Sequence, residues 1–492
     1  MENTRTREHK VIEGETGFII GAKGYLLELE GLPSVHINDV IINQKGKRAL
    51  VTAINANGVE AILLDGGDTE LGDHFTIRTR GIRFFFGEEL FGRVISALGE
   101  PLDGGGAIPP PNNTLHLESV APGMSARALM KEQFTTGMIA TDILIPLAKG
   151  QRQMIIGPLS SGKKIFLESI LAHQKKTGVI CIYGFVGRPT SYVEEVVARI
   201  LSESGNKNTI ILAAFSDDPA PMIYLIPSVA VELAEFFSQQ GYDVLLILDD
   251  LGSHAKYLRE IALLSGRVPG RESYPGDMFF QQARLLERGG YFNKTVGGGS
   301  ITILAVLETS IEDISNLVST NLISATDGHL FFSPLLRSEG YFPAIISDQS
   351  VTRVGRQTQS LLATQLSIRV QSLLSEYERQ RRYGQFGAQL SKETRDIIAQ
   401  GKIMYEFLEQ EPMVSLSIEV QIVLLSLVFT TFFHEKETVF AKHNRAALVD
   451  AIHTNKSIAY LVADAKTGTT PLDKFLKKLE SALPYFEFVW QP

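Results

Sequence analysis

Residues 153–174 read QMIIGPLSSGKKIFLESILAHQ: an apolar run, then Gly157-Pro158-Leu159-Ser160-Ser161-Gly162-Lys163-Lys164, then a stretch with helical spacing. Strand, glycine-rich loop and helix in this order let backbone N–H groups and a helix N-terminus hold phosphate oxygens, with the lysine neutralising the outer phosphates. The pattern is weak without that context and strong within it. Gly157, Ser160, Ser161, Gly162, Lys163 and Lys164 are therefore candidate nucleotide-binding residues. One position departs from the usual loop. The residue after the lysine is ordinarily Ser or Thr, whose hydroxyl ligates the nucleotide's magnesium. Here it is Lys164, and a protonated ammonium cannot ligate a cation.

Downstream, residues 243–250 (DVLLILDD) form an apolar run ending in two carboxylates. Alone, such an ending is more often a helix cap or turn; beside a phosphate loop, Asp249 and Asp250 read as acids that orient a metal through water. Apolar β-branched runs at 153–156, 179–183, 209–213, 244–248 and 300–306 alternate with helical stretches such as 192–204 and 227–240. Fully apolar strands separated by helices predict a mostly parallel sheet covered on both faces. Before it, to about Thr79, short Val-, Ile- and Thr-rich segments alternate with Gly, Asn and Asp turns and predict a small antiparallel barrel or sandwich. After about residue 357, helical periodicity dominates.

The chain has 492 residues, which suggests about three domains. With 44% hydrophobic and 21% charged residues, it is neither a disordered nor a collagenous chain. A net charge of -8 gives no basic excess for tracking phosphates along a nucleic acid, so nucleic acid is not an expected partner. A single cysteine, Cys181, rules out an intrachain disulfide and a thiolate cluster. The first residues have neither a signal-peptide nor a transit-peptide pattern. The apolar run 422–433 falls short of the ~20 residues of a spanning helix and reads as a buried helix in a soluble chain.

Residues 269–293 (PGRESYPGDMFFQQARLLERGGYFN) closely resemble the signature of the catalytic-core subunits of rotary F-type ATP synthases. The segments ETGFIIGAKG, GEELFGRVISALGEPLDG, QFTTGMIATDILIPLAKGQRQMIIG, STNLISATDGHLFF and PAIISDQSVTRVG resemble the alpha rather than the beta branch, over nearly the whole chain. The resemblance implies a multidomain α/β fold: a six-stranded β-barrel crown (1–79), a RecA-like P-loop nucleotide-binding domain (80–358) and a C-terminal helical bundle (359–492). It implies alternation with beta-type catalytic subunits around a central gamma-type shaft, at the cytoplasmic face of a bacterial inner membrane. There the chain is peripheral and meets the membrane sector only indirectly. The complex would be a proton- or sodium-transporting ATPase or synthase.

Site residues follow from the same resemblance. Arg353, in SVTRVG, matches the arginine that alpha projects into a neighbouring beta site, where a fixed guanidinium stabilises charge on the transferred phosphoryl group. Ser324, in LISATDG, matches a serine beside that interface, and the loop from Pro269 to Asp277 the collar around the shaft, although it carries Arg271 and Glu272. Beta subunits hold a catalytic glutamate, and alpha subunits a glutamine, where FVGRPTSY places Arg188; a guanidinium cannot serve as general base, so the chain is not expected to hydrolyse nucleotide itself. The adenine-side arginine of the alpha branch corresponds to Phe342, and of its two adenine-loop glutamines Gln410 remains while Pro412 replaces the other. ATP or ADP is the expected cofactor, with the magnesium ligand replaced. Lys164 and Arg188 could stand in for part of the metal's charge, or could pair with Asp249 or Asp250. The chain reaches the barrel after about 14 residues, whereas family members carry a longer helix that docks the peripheral stalk, which leaves that partner open. Four readings stand: an alpha subunit that binds nucleotide, an alpha-like structural subunit that no longer does, a hexameric RNA helicase, and an export ATPase. The helicase needs a basic, aromatic barrel face, and the export ATPase needs the missing glutamate.

Overall fold

The structure is a computed structural model describing residues 15–56, 58–117, 119–203, 208–268, 270–310, 312–384, 392–433 and 438–486. The expectation about the stalk-docking segment concerns residues 1–14, which lie outside these, as does Pro269 of the collar loop. Two compact units are present. One holds residues 1–127, 179–307 and 314–325, the other 128–178, 308–313 and 326–492.

The first unit opens with a closed barrel of β1 (Thr16–Lys23), β2 (Leu26–Gly31), β3 (Val40–Asn43), β4 (Arg48–Asn55), β5 (Gly58–Leu63) and β6 (His74–Thr79), in the order β1-β2-β5-β4-β3-β6. Alternation builds it: Leu27, Leu29, Ile41, Val51, Ala61 and Phe75 fill the interior, and neighbours such as Glu28 and Thr76 are exposed. Gly31 has φ +113°, and a Cβ there would stand 2.4 Å from the Thr16 carbonyl, so only glycine lets β2 pass β1 at that point. Of the alternatives read from the pattern, the barrel is correct and the sandwich is not.

The same unit contains a parallel sheet in the order Ser300–Glu308, Asp243–Asp249, Ile180–Arg188, Thr209–Phe215 and Val94–Ile95. Helix Ala220–Gln239 packs against its central strands. By length and composition it could cross a membrane, but 72% of its apolar window is buried. The sequence pattern places this helix at 227–240. The helix instead begins at Ala220, with Pro221 in its first turn and Pro227 inside it.

In the second unit, strand Gly328–Phe331 pairs in parallel with Arg152–Gly157 and antiparallel with Val351–Thr352. Helices Leu361–Gly384, Lys392–Leu408, Ile418–Leu427, Thr438–Thr454, Ala459–Thr467 and Leu472–Ser481 follow. Leu362, Leu366, Val370, Leu374 and Tyr377 form one buried stripe of the first. The expected buried helix is Ile418–Leu427, hidden on every side from Val420 onward; Thr431–Phe433 forms a separate 3-10 turn. A π-helical turn at Ala140–Leu144 buries Asp142, whose carboxylate accepts from the N–H of Thr136 (2.7 Å) and Gly137 (2.9 Å), the hydroxyl of Thr136 (2.8 Å) and Nε2 of Gln421 (2.9 Å). The fold class expected from the sequence is the one observed: barrel, α/β nucleotide-binding region and helical C-terminal region.

Candidate nucleotide site

The expected loop geometry is present. Strand Arg152–Gly157 runs through the 3-10 turn Leu159–Ser161 to Gly162, whose left-handed φ of +88° starts the helix Lys163–Gln174. Gly157 (φ +155°) passes so close to Phe332 that a Cβ would lie 2.8 Å from its carbonyl oxygen. Lys163 is buried, and its ammonium donates to the carbonyls of Gly157 and, at 2.6 Å, Pro158. Ser161 is buried, with its hydroxyl donating to the Pro158 carbonyl at 2.7 Å, whereas Ser160 is exposed. Lys164 follows in the first helical turn, which contains no acid. Two lysines at the positive end of a helix oppose its dipole, an arrangement that a bound anion relieves.

Arg188, Asp249 and Asp250 lie in the other unit. The strands Ile180–Arg188 and Asp243–Asp249 bring Phe185 opposite Asp249, and Arg188 folds back onto that carboxylate, with Nε 3.0 Å from Oδ1. Oδ2 accepts from the hydroxyls of Tyr183 (3.1 Å) and Tyr192 (3.2 Å), and the guanidinium lies 5.2 Å from the Tyr192 ring centre. Asp249 is 1% exposed and Arg188 8%. Burial, with the Asp249 charge beside it, holds the Tyr183 hydroxyl well above its usual pKa. Asp250 caps helix Leu251–Leu264, accepting from the N–H of Gly252 (2.7 Å) and the hydroxyl of Ser253 (3.2 Å), the cap role that a strand-terminal aspartate usually has. Of the two fates open to Arg188, pairing with Asp249 is the one observed. On the loop itself, Lys164 offers no oxygen to magnesium at the position where a Ser or Thr hydroxyl would ligate it.

Gln410 is buried with its amide used up by backbone. Oε1 accepts from Ile139 N–H (2.9 Å), and Nε2 donates to the carbonyls of Gly137 and Val414 (2.8 Å each). Phe342 is buried, and Arg337 lies 5.9 Å from its ring centre. Arg353 is exposed; its Nη1 donates to the Thr326 carbonyl at 3.2 Å, and among the described residues no carboxylate pairs with it. Ser324, in helix Leu317–Ala325 of the other unit, is exposed and donates to the Thr320 carbonyl at 2.8 Å. Exposed Arg271–Ser273 forms a turn with Glu272 and Ser273 left-handed. Sequence reading missed Tyr183, Tyr192, Asp142, Gln421 and Arg337. Strand register and helix packing bring these to their partners, and no motif spacing marks them.

The loop, its strand and its helix define a P-loop nucleotide-binding protein. Residues 137–352 match the nucleotide-binding domain of the ATP synthase alpha/beta family, and residues 357–485 match the C-terminal domain of the ATP synthase alpha/beta chain. The chain belongs to that family. It is 37% identical over 413 residues to ATP synthase subunit alpha 1 of Mycoplasmopsis pulmonis (strain UAB CTIP), covering 83% of this chain and 78% of the relative. It is 32% identical over 425 residues to ATP synthase subunit alpha 1 of Chlorobium luteolum (strain DSM 273 / BCRC 81028 / 2530), covering 86% and 83%. The resemblance read from the sequence therefore holds.

Proposed function

We propose that this chain is the non-catalytic alpha-type subunit of the headpiece of an F-type rotary ATPase or synthase. It alternates with beta-type subunits around a gamma-type shaft and supplies Arg353 to the neighbouring beta site, with Ser324 beside that interface. It binds ATP or ADP on its own loop in a regulatory or structural role. Within it, residues 1–79 serve as crown, 80–358 as nucleotide domain and 359–492 as helical bundle. The complex translocates protons or sodium, and the headpiece is peripheral on the cytoplasmic face of a bacterial inner membrane. The alpha names of both relatives support this reading.

The observation that carries the non-catalytic role is the Arg188–Asp249 pair. The position that would hold a base carries a guanidinium, and the acid of the neighbouring strand is consumed in neutralising it. Neither member of that pair is then available to activate water. The purified chain, denatured in acid, should release about one ADP or ATP per chain, and Lys163→Ala should release none. A second reading, a spacer that has lost nucleotide and keeps only the arginine role, is favoured by the engagement of the Lys163 ammonium with loop carbonyls. Nucleotide-free native protein would establish that reading and remove the first.

A further inference from the structure

We propose that Arg337 is a third cationic residue of the phosphate-loop mouth and binds a phosphate of a metal-free nucleoside di- or triphosphate. This rests on the nucleotide-binding reading above and names the ionic form of its ligand. Arg337 sits in the short helix Pro334–Ser338, whose N-terminus is fixed by Pro334 and by the Ser333 hydroxyl accepting from Leu336 N–H at 3.3 Å. That helix packs against the loop turn Leu159–Ser161. A Cβ built on Gly162 would lie 3.4 Å from Arg337 Cδ and 3.8 Å from Nε, so the arginine's arm runs alongside the residue that precedes Lys163.

The Phe342 ring centre lies 5.9 Å from the guanidinium carbon. Arg337 is half-buried, and among the described residues no carboxylate lies within ion-pair distance of it. A half-buried guanidinium without a carboxylate, beside the helix start that carries Lys163 and Lys164, adds a third cationic side chain at the loop mouth. After Lys163 the loop carries Lys164 where a magnesium-ligating hydroxyl would stand, so side chains are left to meet the charge of a nucleotide's phosphates. Arg337 is placed to meet it with the planar fork that suits phosphate oxygens.

The test is equilibrium binding of ADP to the full chain in EDTA and again in excess magnesium. Native protein should bind ADP in EDTA, and magnesium should weaken binding, because the metal cancels the ligand charge that Arg337 recognises. Arg337→Ala should bind roughly tenfold to a hundredfold more weakly in EDTA and lose most of its response to magnesium. Arg337→Met, which keeps the packing on Phe342, should behave like the alanine variant, and Arg337→Lys should recover part of the affinity. If Arg337→Met binds ADP like native protein while Lys163→Ala does not bind, the role of Arg337 is overturned and the nucleotide site stands. If native protein binds no ADP, or Lys163→Ala binds it undiminished, the nucleotide reading fails and this inference with it.

Discussion

The backbone N–H of Arg353 donates to the carbonyl of Asp327 at 3.0 Å, while the carboxylate of Asp327 grips Arg152, with Nε–Oδ2 at 2.9 Å and Nη2–Oδ1 at 2.6 Å. The arginine's main chain is thus set on a bidentate ion pair, and its side chain projects from a fixed base with Nη1 donating to the Thr326 carbonyl. Preorganisation of this kind suits a residue that stabilises developing charge in a neighbouring subunit. Arg353→Ala should lower steady-state ATP turnover of the assembled complex by roughly a thousandfold or more and leave the assembly intact by size-exclusion chromatography. Normal turnover would remove Arg353 from the reaction.

The Arg188–Asp249 pair carries a stability prediction. Removing one member leaves an uncompensated buried charge, so Arg188→Ala should cost about 3–5 kcal/mol in urea unfolding. The double variant Arg188→Met with Asp249→Asn should regain most of it, because neither charge is then buried alone. If the double variant is as unstable as the single one, packing rather than charge accounts for the loss.

A further prediction concerns pH. Burial pushes the Asp142 carboxyl up to about 6, even though its hydrogen bonds from Gln421, Thr136 and Gly137 pull the other way. The folded chain then holds this proton more tightly than the unfolded chain. Its contribution is complete below the ordinary carboxylate range and is lost as pH rises through about 6, a fall on the order of 3 kcal/mol. The buried His173 and His254, both lowered to about 4 by burial, push stability in the opposite direction. The difference between native chain and Asp142→Asn isolates the aspartate: native stability should fall relative to the variant between pH 4 and pH 7. Parallel curves would show that Asp142 titrates normally.

Gln410 separates a structural from a ligand role. Gln410→Ala leaves the N–H of Ile139 and the carbonyls of Gly137 and Val414 without that partner, at about 1–3 kcal/mol for a buried group left unsatisfied. The chain should lose stability while its folded fraction binds ADP within about threefold of native, the scatter allowed for indirect effects. Unchanged stability with a large loss of affinity would return Gln410 to the nucleotide.

The strands and the loop were legible because their signals are local. Contiguous β-branched runs mark buried parallel strands, and Gly157 and Gly162 are needed where the backbone is left-handed. What escaped depends on register and packing. Asp249 and Asp250 are adjacent in sequence, yet one faces Arg188 and two tyrosines while the other caps a helix. Gln410 could be matched to a motif position, but its partners at 137 and 139 lie far away in sequence. Arg337 had no signal, because only folding sets Pro334–Ser338 beside Gly162.

The closed order β1-β2-β5-β4-β3-β6 leaves no strand of the barrel with an open hydrogen-bonding edge. Partner chains cannot be stitched onto this barrel as additional strands. They have to be recognised by side chains, and Phe18 and Ile20, each about half exposed on β1, are apolar groups available for that. Contacts made through such side chains can part and re-form with the barrel left whole.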